Sequence, residues 1–247
     1  MVVAPGGGLD LLDDEARHAA DRFASSYAAL RKREGWIGPD GYEEPDRGDP
    51  RLWRARLEAM PKVVAALAGL RTVGRPVALD VGSGGGWAAR FLGGADVIAV
   101  DLLSIDAGDA GLRVRADMCS LPVSDHTVDC VLYIASLHYA PMDDAIREAA
   151  RVLRPAGMLV ALDSPIYRDR SARSRAWARS AAYYAGAGFP ELAEHYHPID
   201  MAALRAALAA QGLGVIRLEG GTGADRWWLR LSRRRRPSFL LARPNPG

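Results

Sequence analysis

A chain of 247 residues with an apolar fraction of 49% suffices for one large domain, or one domain with a modest insertion, around a full core. Its net charge of +2 excludes a strong overall field toward nucleic acid or membrane, and no apolar run reaches membrane-spanning length. Met1 to Asp10 holds no signal-like apolar segment, and Cys119 and Cys130 adjoin expected strands without metal-ligand spacing, so a cytoplasmic protein with reduced thiols and no metal site is expected.

Residues 1–10, with Pro5 and three glycines, read as a mobile tail. Leu12, Ala16, Ala19, Phe23, Tyr27 and Leu30 recur at helical steps, which predicts an amphipathic helix over about 12–33. Gly35 to Asp49 reads as a loop, and Asp49-Pro50 supplies an N-cap and first-turn proline for a second helix to about Leu70, with Pro61 inside it. Strands are expected at 76–81, 95–100, 112–115, 128–134, 157–163, 213–218 and 238–242. Helices between the first five make a doubly wound parallel sheet the expected architecture. The helix before the fifth strand, with Ile146, Ala149, Ala150 and Leu153 on one face, must stop at Arg154-Pro155. An insertion at 164–198 carries arginines 168, 170, 173, 175 and 179, then Tyr183, Tyr184, Phe189, His195, Tyr196 and His197. Asp200 caps a helix bearing Met201, Leu204 and Leu208; Trp227-Trp228 is read as a short helix and Arg233 to Arg236 as a charged turn. Lysine occurs only at Lys32 and Lys62, so arginine clusters here reflect composition as much as binding.

The informative stretch is Val77-Ala-Leu-Asp-Val-Gly-Ser-Gly-Gly-Gly-Trp87: a buried strand, a glycine turn and the opening of a helix. Such a turn presents backbone N–H groups to a ligand, and glycine permits both the close approach and the positive φ angles. The spacing departs from the dinucleotide fingerprint, with Trp87 at its last glycine position. Asp80 before the turn would repel a phosphate and attract an ammonium group. Asp101, ending the second strand, is placed to accept from two ribose hydroxyls.

With Ala116-Asp117-Met118, Val128-Asp129-Cys-Val131 and Arg151-Val-Leu-Arg-Pro-Ala-Gly157, this segment resembles the class I S-adenosylmethionine-dependent methyltransferases over about residues 70–165. The resemblance implies a Rossmann-like α/β fold with a seven-stranded, mostly parallel sheet, last strand antiparallel, and an N-terminal helical lid. The corresponding parts are tail and lid at 1–72, cofactor-binding core at 73–163, substrate-side insertion at 164–198 and sheet completion at 199–247. It implies S-adenosylmethionine as cofactor and S-adenosylhomocysteine as product. Asp80 would lie near the methionine amino group, directly or through water. Gly82, Ser83, Gly84 and Gly86 would form the turn around the ligand, Leu102 would pack on the adenine, and Asp117 and the Met118 N–H would take its polar edge.

Tyr133-Ile-Ala-Ser-Leu-His-Tyr139 resembles a stretch of the small-molecule branch that includes quinone C-methyltransferases. By that likeness Ala135 and Ser136 line the sulfonium, and His138 and Tyr139 border the substrate. His138 is either a general base or a residue that only shapes the pocket. Tyr27, Arg31 and Trp36 are the lid residues placed to reach the site, with Tyr27 equally explained by packing. The aromatic residues of the insertion form either a pocket wall or that segment's own core. The expected substrate is a small metabolite accepting methyl on O, N, C or S, without membrane involvement, in a monomer or homodimer. The rivals are an RNA methyltransferase using the arginine-rich segments and a non-catalytic cofactor-binding protein.

Overall fold

The computed structural model describes residues 2–3, 8–37, 49–103, 111–220 and 237–245. The apolar runs of the chain's middle pair side by side: β3 (Val77–Val81), β4 (Asp96–Asp101), β5 (Leu112–Arg115), β6 (Val128–Ile134) and β7 (Leu153–Leu162) are all parallel. β6 is buried along its whole length, as expected of a central strand covered on both faces. β10 (Leu213–Glu219) and β11 (Phe239–Pro244) finish one side, with β11 antiparallel to both β7 and β10. All seven expected strands are present.

The other side corrects the expected tail. β1 (Val2–Val3) and β2 (Leu9–Asp10) add two short strands, and β2 runs parallel to β5, pairing Leu9 with Val114 and Asp10 with Arg115. The sheet therefore has nine strands, in the order β1-β2-β5-β4-β3-β6-β7-β11-β10. A polar contact fixes β2: buried Asp10 accepts from Arg17 Nε at 3.0 Å and lies 3.4 Å from Arg115 Nη1. No hydrophobic pattern announces such an anchor.

Helices separate the first five strands less fully than expected. Trp87–Phe91 is only a 3-10 segment, cut short before Gly93-Gly94, and the described residues between β5 and β6 form turns. α3 (Met142–Val152) separates β6 from β7 and buries Ala145, Ile146, Ala149 and Val152. Pro155 forces the preceding residues into extended backbone, so β7 starts at Leu153, earlier than expected, and a register shift between Val128 and Cys130 absorbs the irregularity.

α1 (Asp14–Arg33) and α2 (Pro50–Ala68) precede the core, each capped by the aspartate before it. Trp53 of α2 is 1% exposed and stands edge-on to Trp87, with ring centroids 5.1 Å apart. The short strands β8 (Ile166–Tyr167) and β9 (Ile199–Asp200) pair with each other and bracket α4 (Arg170–Gly186). α4 joins α1 in a small core of Leu30, Tyr184 and Leu192. α5 (Met201–Ala210) is capped by Asp200, as expected. The expectations for Trp227-Trp228 and for Arg233 to Arg236 lie outside the described residues. No described helix is long and apolar enough to cross a membrane.

Trp53 joins α2 to the segment after the glycine turn. Trp53→Ala is expected to cost about 3–5 kcal/mol in urea unfolding, and an unchanged midpoint would show that α2 is not held through this contact.

Candidate functional site

β3 lies between β4 and β6, so chain crossovers leave it in opposite directions and open a crevice at the strands' carboxyl ends. A cavity of about 510 Å³ occupies that position. Its floor is the glycine turn. Gly82 has φ of 70°, and a Cβ there would overlap the Ser136 side chain, so glycine alone lets the end of β6 close on the turn. Gly84, at φ 53°, has nothing within 4 Å of an added Cβ and lines the cavity. Its N–H donates to Asp101 Oδ2 at 2.7 Å, and the Leu103 N–H donates to Oδ1 at 2.9 Å, which fixes the carboxylate's orientation. Arg113, buried on β5, donates to the Gly84 and Gly85 carbonyls and pins the turn from behind.

Beneath the floor Asp80 is 1% exposed, and neither of its carboxyl oxygens has a hydrogen-bond partner. Burial first, and then the charge of Asp101, push its pKa up to about 7 against the pull of Arg113. Burial also raises Asp101, opposed by the N–H groups of Leu103, Gly84 and Leu102 and by Arg113.

Arg115 ties this end together. It donates to the Leu102 carbonyl at 2.8 Å and to Asp21 of α1 at 2.5 Å, besides its contact with Asp10. Asp117 and Met118 line the same end, with Asp117 Oδ1 accepting from the Cys119 N–H at 2.8 Å. Burial, then the nearby Asp117 and Asp144 charges, hold the Cys119 thiol protonated, its pKa raised to about 12.

Beyond β6 the chain turns sharply. Ala135 and Asp163, at the ends of adjacent strands, both adopt φ of 59°, a left-handed conformation costing roughly 1–2 kcal/mol for a residue with a Cβ. Both line the cavity. Ser136 lines it too, with its hydroxyl donating to the Val81 carbonyl. His138 and Tyr139 follow in a short 3-10 segment with ring centroids 4.4 Å apart. α1 reaches them: Arg31 Nη2 donates to the Tyr139 hydroxyl at 3.0 Å, and the Tyr27 and Tyr139 rings meet edge to face at 6.0 Å.

Of the residues singled out in the sequence, Gly82, Ser83, Gly84, Asp101, Leu102, Asp117, Met118, Ala135, Ser136, His138, Tyr139 and Tyr27 line one cavity. Asp80 and Gly86 do not; Gly86 closes the turn by donating its N–H to the Ser83 carbonyl at 2.9 Å. From the insertion Pro165 and His195 line the cavity, the His195 ring tilted against Phe23 with centroids 4.5 Å apart; burial holds its imidazole below its usual pKa, with Glu194 and Asp117 opposing. Tyr184 belongs to the small core with α1, the Tyr167 hydroxyl lies 3.3 Å from that of Tyr196, and Tyr183 is 47% exposed. In the arginine run, Arg168 pairs with Asp169 and Arg173 with Asp200.

Arg56, Asp163, Asp21 and Arg115 line the cavity without having been singled out. For Asp163 a signal existed: a polar residue directly after the apolar run Met158–Leu162, at a strand's carboxyl end, as Asp101 is. Arg56 carried none, since one arginine among many on a helix reads as surface.

The residues fit a cofactor with an ammonium group and a ribose. Asp80 is an orphaned buried carboxyl below the turn, Asp101 an oriented carboxylate at its side, and Gly84 an open approach to backbone. One correction concerns the expected helix opening after the turn. Trp87–Phe91 is a five-residue 3-10 segment, so no α-helix N-terminus opens on the turn, and the N–H groups of Gly82, Ser83, Gly84 and Gly86 are taken up by Val100, Asp101 and Ser83.

Comparison with known proteins agrees with this geometry. A sequence-family profile, Methyltransferase domain, matches residues 79–161. The uncharacterized methyltransferase YodH of Bacillus subtilis (strain 168) is 28% identical over 100 residues, which span 36% of this chain and 43% of that protein, less than half its length. Among solved structures, the geranyl diphosphate C-methyltransferase of Streptomyces coelicolor A3(2), in complex with Mg2+, geranyl diphosphate and S-adenosyl-L-homocysteine, superposes with a TM-score of 0.59 at 16% identity, covering 94% of this chain and 99% of that one. The [4+2]-cyclase SpnF gives 0.58 at 16% identity, covering 98% and 100%. At such identity these structures share the fold.

Because Asp80 holds a proton in the fold that the unfolded chain releases near its ordinary value of 3.8, its contribution to stability is present below about pH 4 and is lost as pH rises through about 7. Asp80→Asn is expected to flatten that part of the urea midpoint's fall between about pH 4 and 7. Parallel wild-type and variant curves would show a solvated Asp80.

Proposed function

Because a Methyltransferase domain profile matches residues 79–161, we propose that this chain is a class I S-adenosylmethionine-dependent methyltransferase that transfers a methyl group from S-adenosylmethionine to a small-molecule acceptor. The observation that carries the reading is the partnerless buried Asp80 carboxyl beneath a glycine turn whose N–H fixes Asp101. In this reading Asp80 attracts the cofactor's ammonium group, directly or through water, and regains its charge as it does so. Asp101 accepts from the ribose hydroxyls, Leu102 packs on the adenine, and Asp117 with the Met118 N–H takes the adenine's polar edge. Gly82, Ser83 and Gly84 admit the ligand to the backbone, and Gly86 keeps the turn closed.

When bound, the cofactor supplies a methyl group already activated on a sulfonium. The chain's part is to align the acceptor and exclude water. Ala135 and Ser136 border the transfer point, while Tyr27, Arg31 and Trp36 roof the cavity from the N-terminal side. Where the acceptor carries a proton, an imidazole nitrogen of His138 takes it, and Tyr139 holds the acceptor against that ring. The roofed cavity, within the usual 300–1,000 Å³ for small ligands, supports a metabolite over a polymer. The ion-paired arginines of the insertion support the same choice. A cytoplasmic setting accords with the unpaired Cys119 and Cys130.

The direct test is incubation with S-adenosylmethionine deuterated in its methyl group and an extract of the source cells, followed by size fractionation and mass spectrometry. Label is expected in a low-mass metabolite; label confined to RNA or protein would sink the small-molecule reading. Asp101→Ala is expected to weaken S-adenosylmethionine binding about 10- to 150-fold, the loss of charge-assisted hydrogen bonds worth roughly 1.5–3 kcal/mol. Unchanged affinity would move the ribose acceptor elsewhere. His138→Ala is expected to lower kcat on the identified acceptor by about 100-fold or more, and an intact kcat would leave His138 a wall residue only.

A further inference from the structure

The cavity's two ends differ in charge. Beside the glycine turn its wall carries Asp21, Asp101 and Asp117 against Arg115. At the carboxyl end of β7, three strands from Asp101 and so about 14 Å away, every cation has its own anion. Arg56 Nε donates to Asp163 Oδ2 at 2.7 Å, with side chains 14% and 2% exposed, and Arg31 pairs with Glu34 at 2.7 Å. The Trp36 ring is near both guanidinium groups, its centroid 6.0 Å from each. Among the described residues this end therefore has flat aromatic and guanidinium surfaces and no uncompensated charge.

Resting on the methyltransferase reading, we propose that the acceptor is an uncharged planar molecule bearing a carbonyl or hydroxyl, held with that group on the Arg56–Asp163 pair and its ring against Trp36. A carbonyl accepts from the guanidinium, a hydroxyl donates to the carboxylate, and neither charge loses its partner. An anion placed there faces the buried Asp163 carboxylate, and a cation faces Arg56, so both break the compensation. The left-handed backbone at Asp163 brings its carboxylate to this wall.

The test measures fluorescence binding of 7-methoxycoumarin and of 7-methoxycoumarin-3-carboxylate to the S-adenosylhomocysteine-loaded wild-type chain. The uncharged coumarin is expected to bind at least about 30-fold more tightly. In Arg56→Met/Asp163→Asn, which removes both charges together, the discrimination is expected to fall within about threefold. Equal or tighter binding of the carboxylate, no binding of the uncharged coumarin, or undiminished discrimination in a folded double variant overturns the proposal. S-adenosylmethionine binding by the same wild-type preparation separates the two readings. Without it the methyltransferase assignment fails; with it, lost discrimination sinks only the acceptor class.

Discussion

Two carboxylates brought together at the ends of β3 and β4 set the terms for the rest of the molecule. Asp80 has no hydrogen-bond partner and Asp101 is held by two N–H groups beside it. Buried like charges so placed are tolerated only because Arg113 lies behind the turn and because Asp80 keeps its proton up to about pH 7. The arrangement is unfavourable in isolation and becomes favourable with a cation present. In the proposed reading the cofactor's ammonium group is that cation.

Around that centre two arginines on alternate positions of one strand do different work. Arg113 faces the turn and holds its carbonyls. Arg115 reaches outward to Leu102, Asp21 and Asp10, so one side chain joins β4's exit loop, α1 and β2. α1 is thereby referenced to the same strand that steadies the floor.

The core was legible because its physics is periodic or positional. Continuous apolar runs gave the seven strands, Asp49 and Asp200 their caps, and the strand-end rule brought Asp101, Ser136 and His138 to one cavity. What escaped depended on contacts between distant residues. The strand at Leu9–Asp10 exists through Asp10 and two arginines, and Arg56 matters through Asp163, 107 positions away. The insertion's tyrosines looked alike in sequence. Packing on Leu30 divides them, with Tyr184 in the small core and Tyr183 exposed, while His195 goes to the cavity.

The added strands at the N-terminal side also bear on solubility. Without β2, the parallel edge at β5 would offer a row of unpaired backbone groups beside apolar Val114, a template for association between chains. Covering it with β2, and β2 in turn with the two-residue β1, leaves little edge for another molecule to extend. The far edge, β10, is guarded by charge instead, through Arg217 and the Glu219 that also engages Lys62. The same sheet thus limits aggregation at its two borders by different means, one by covering strands held through buried ion pairs and one by exposed charge, so the second should weaken more as ionic strength rises.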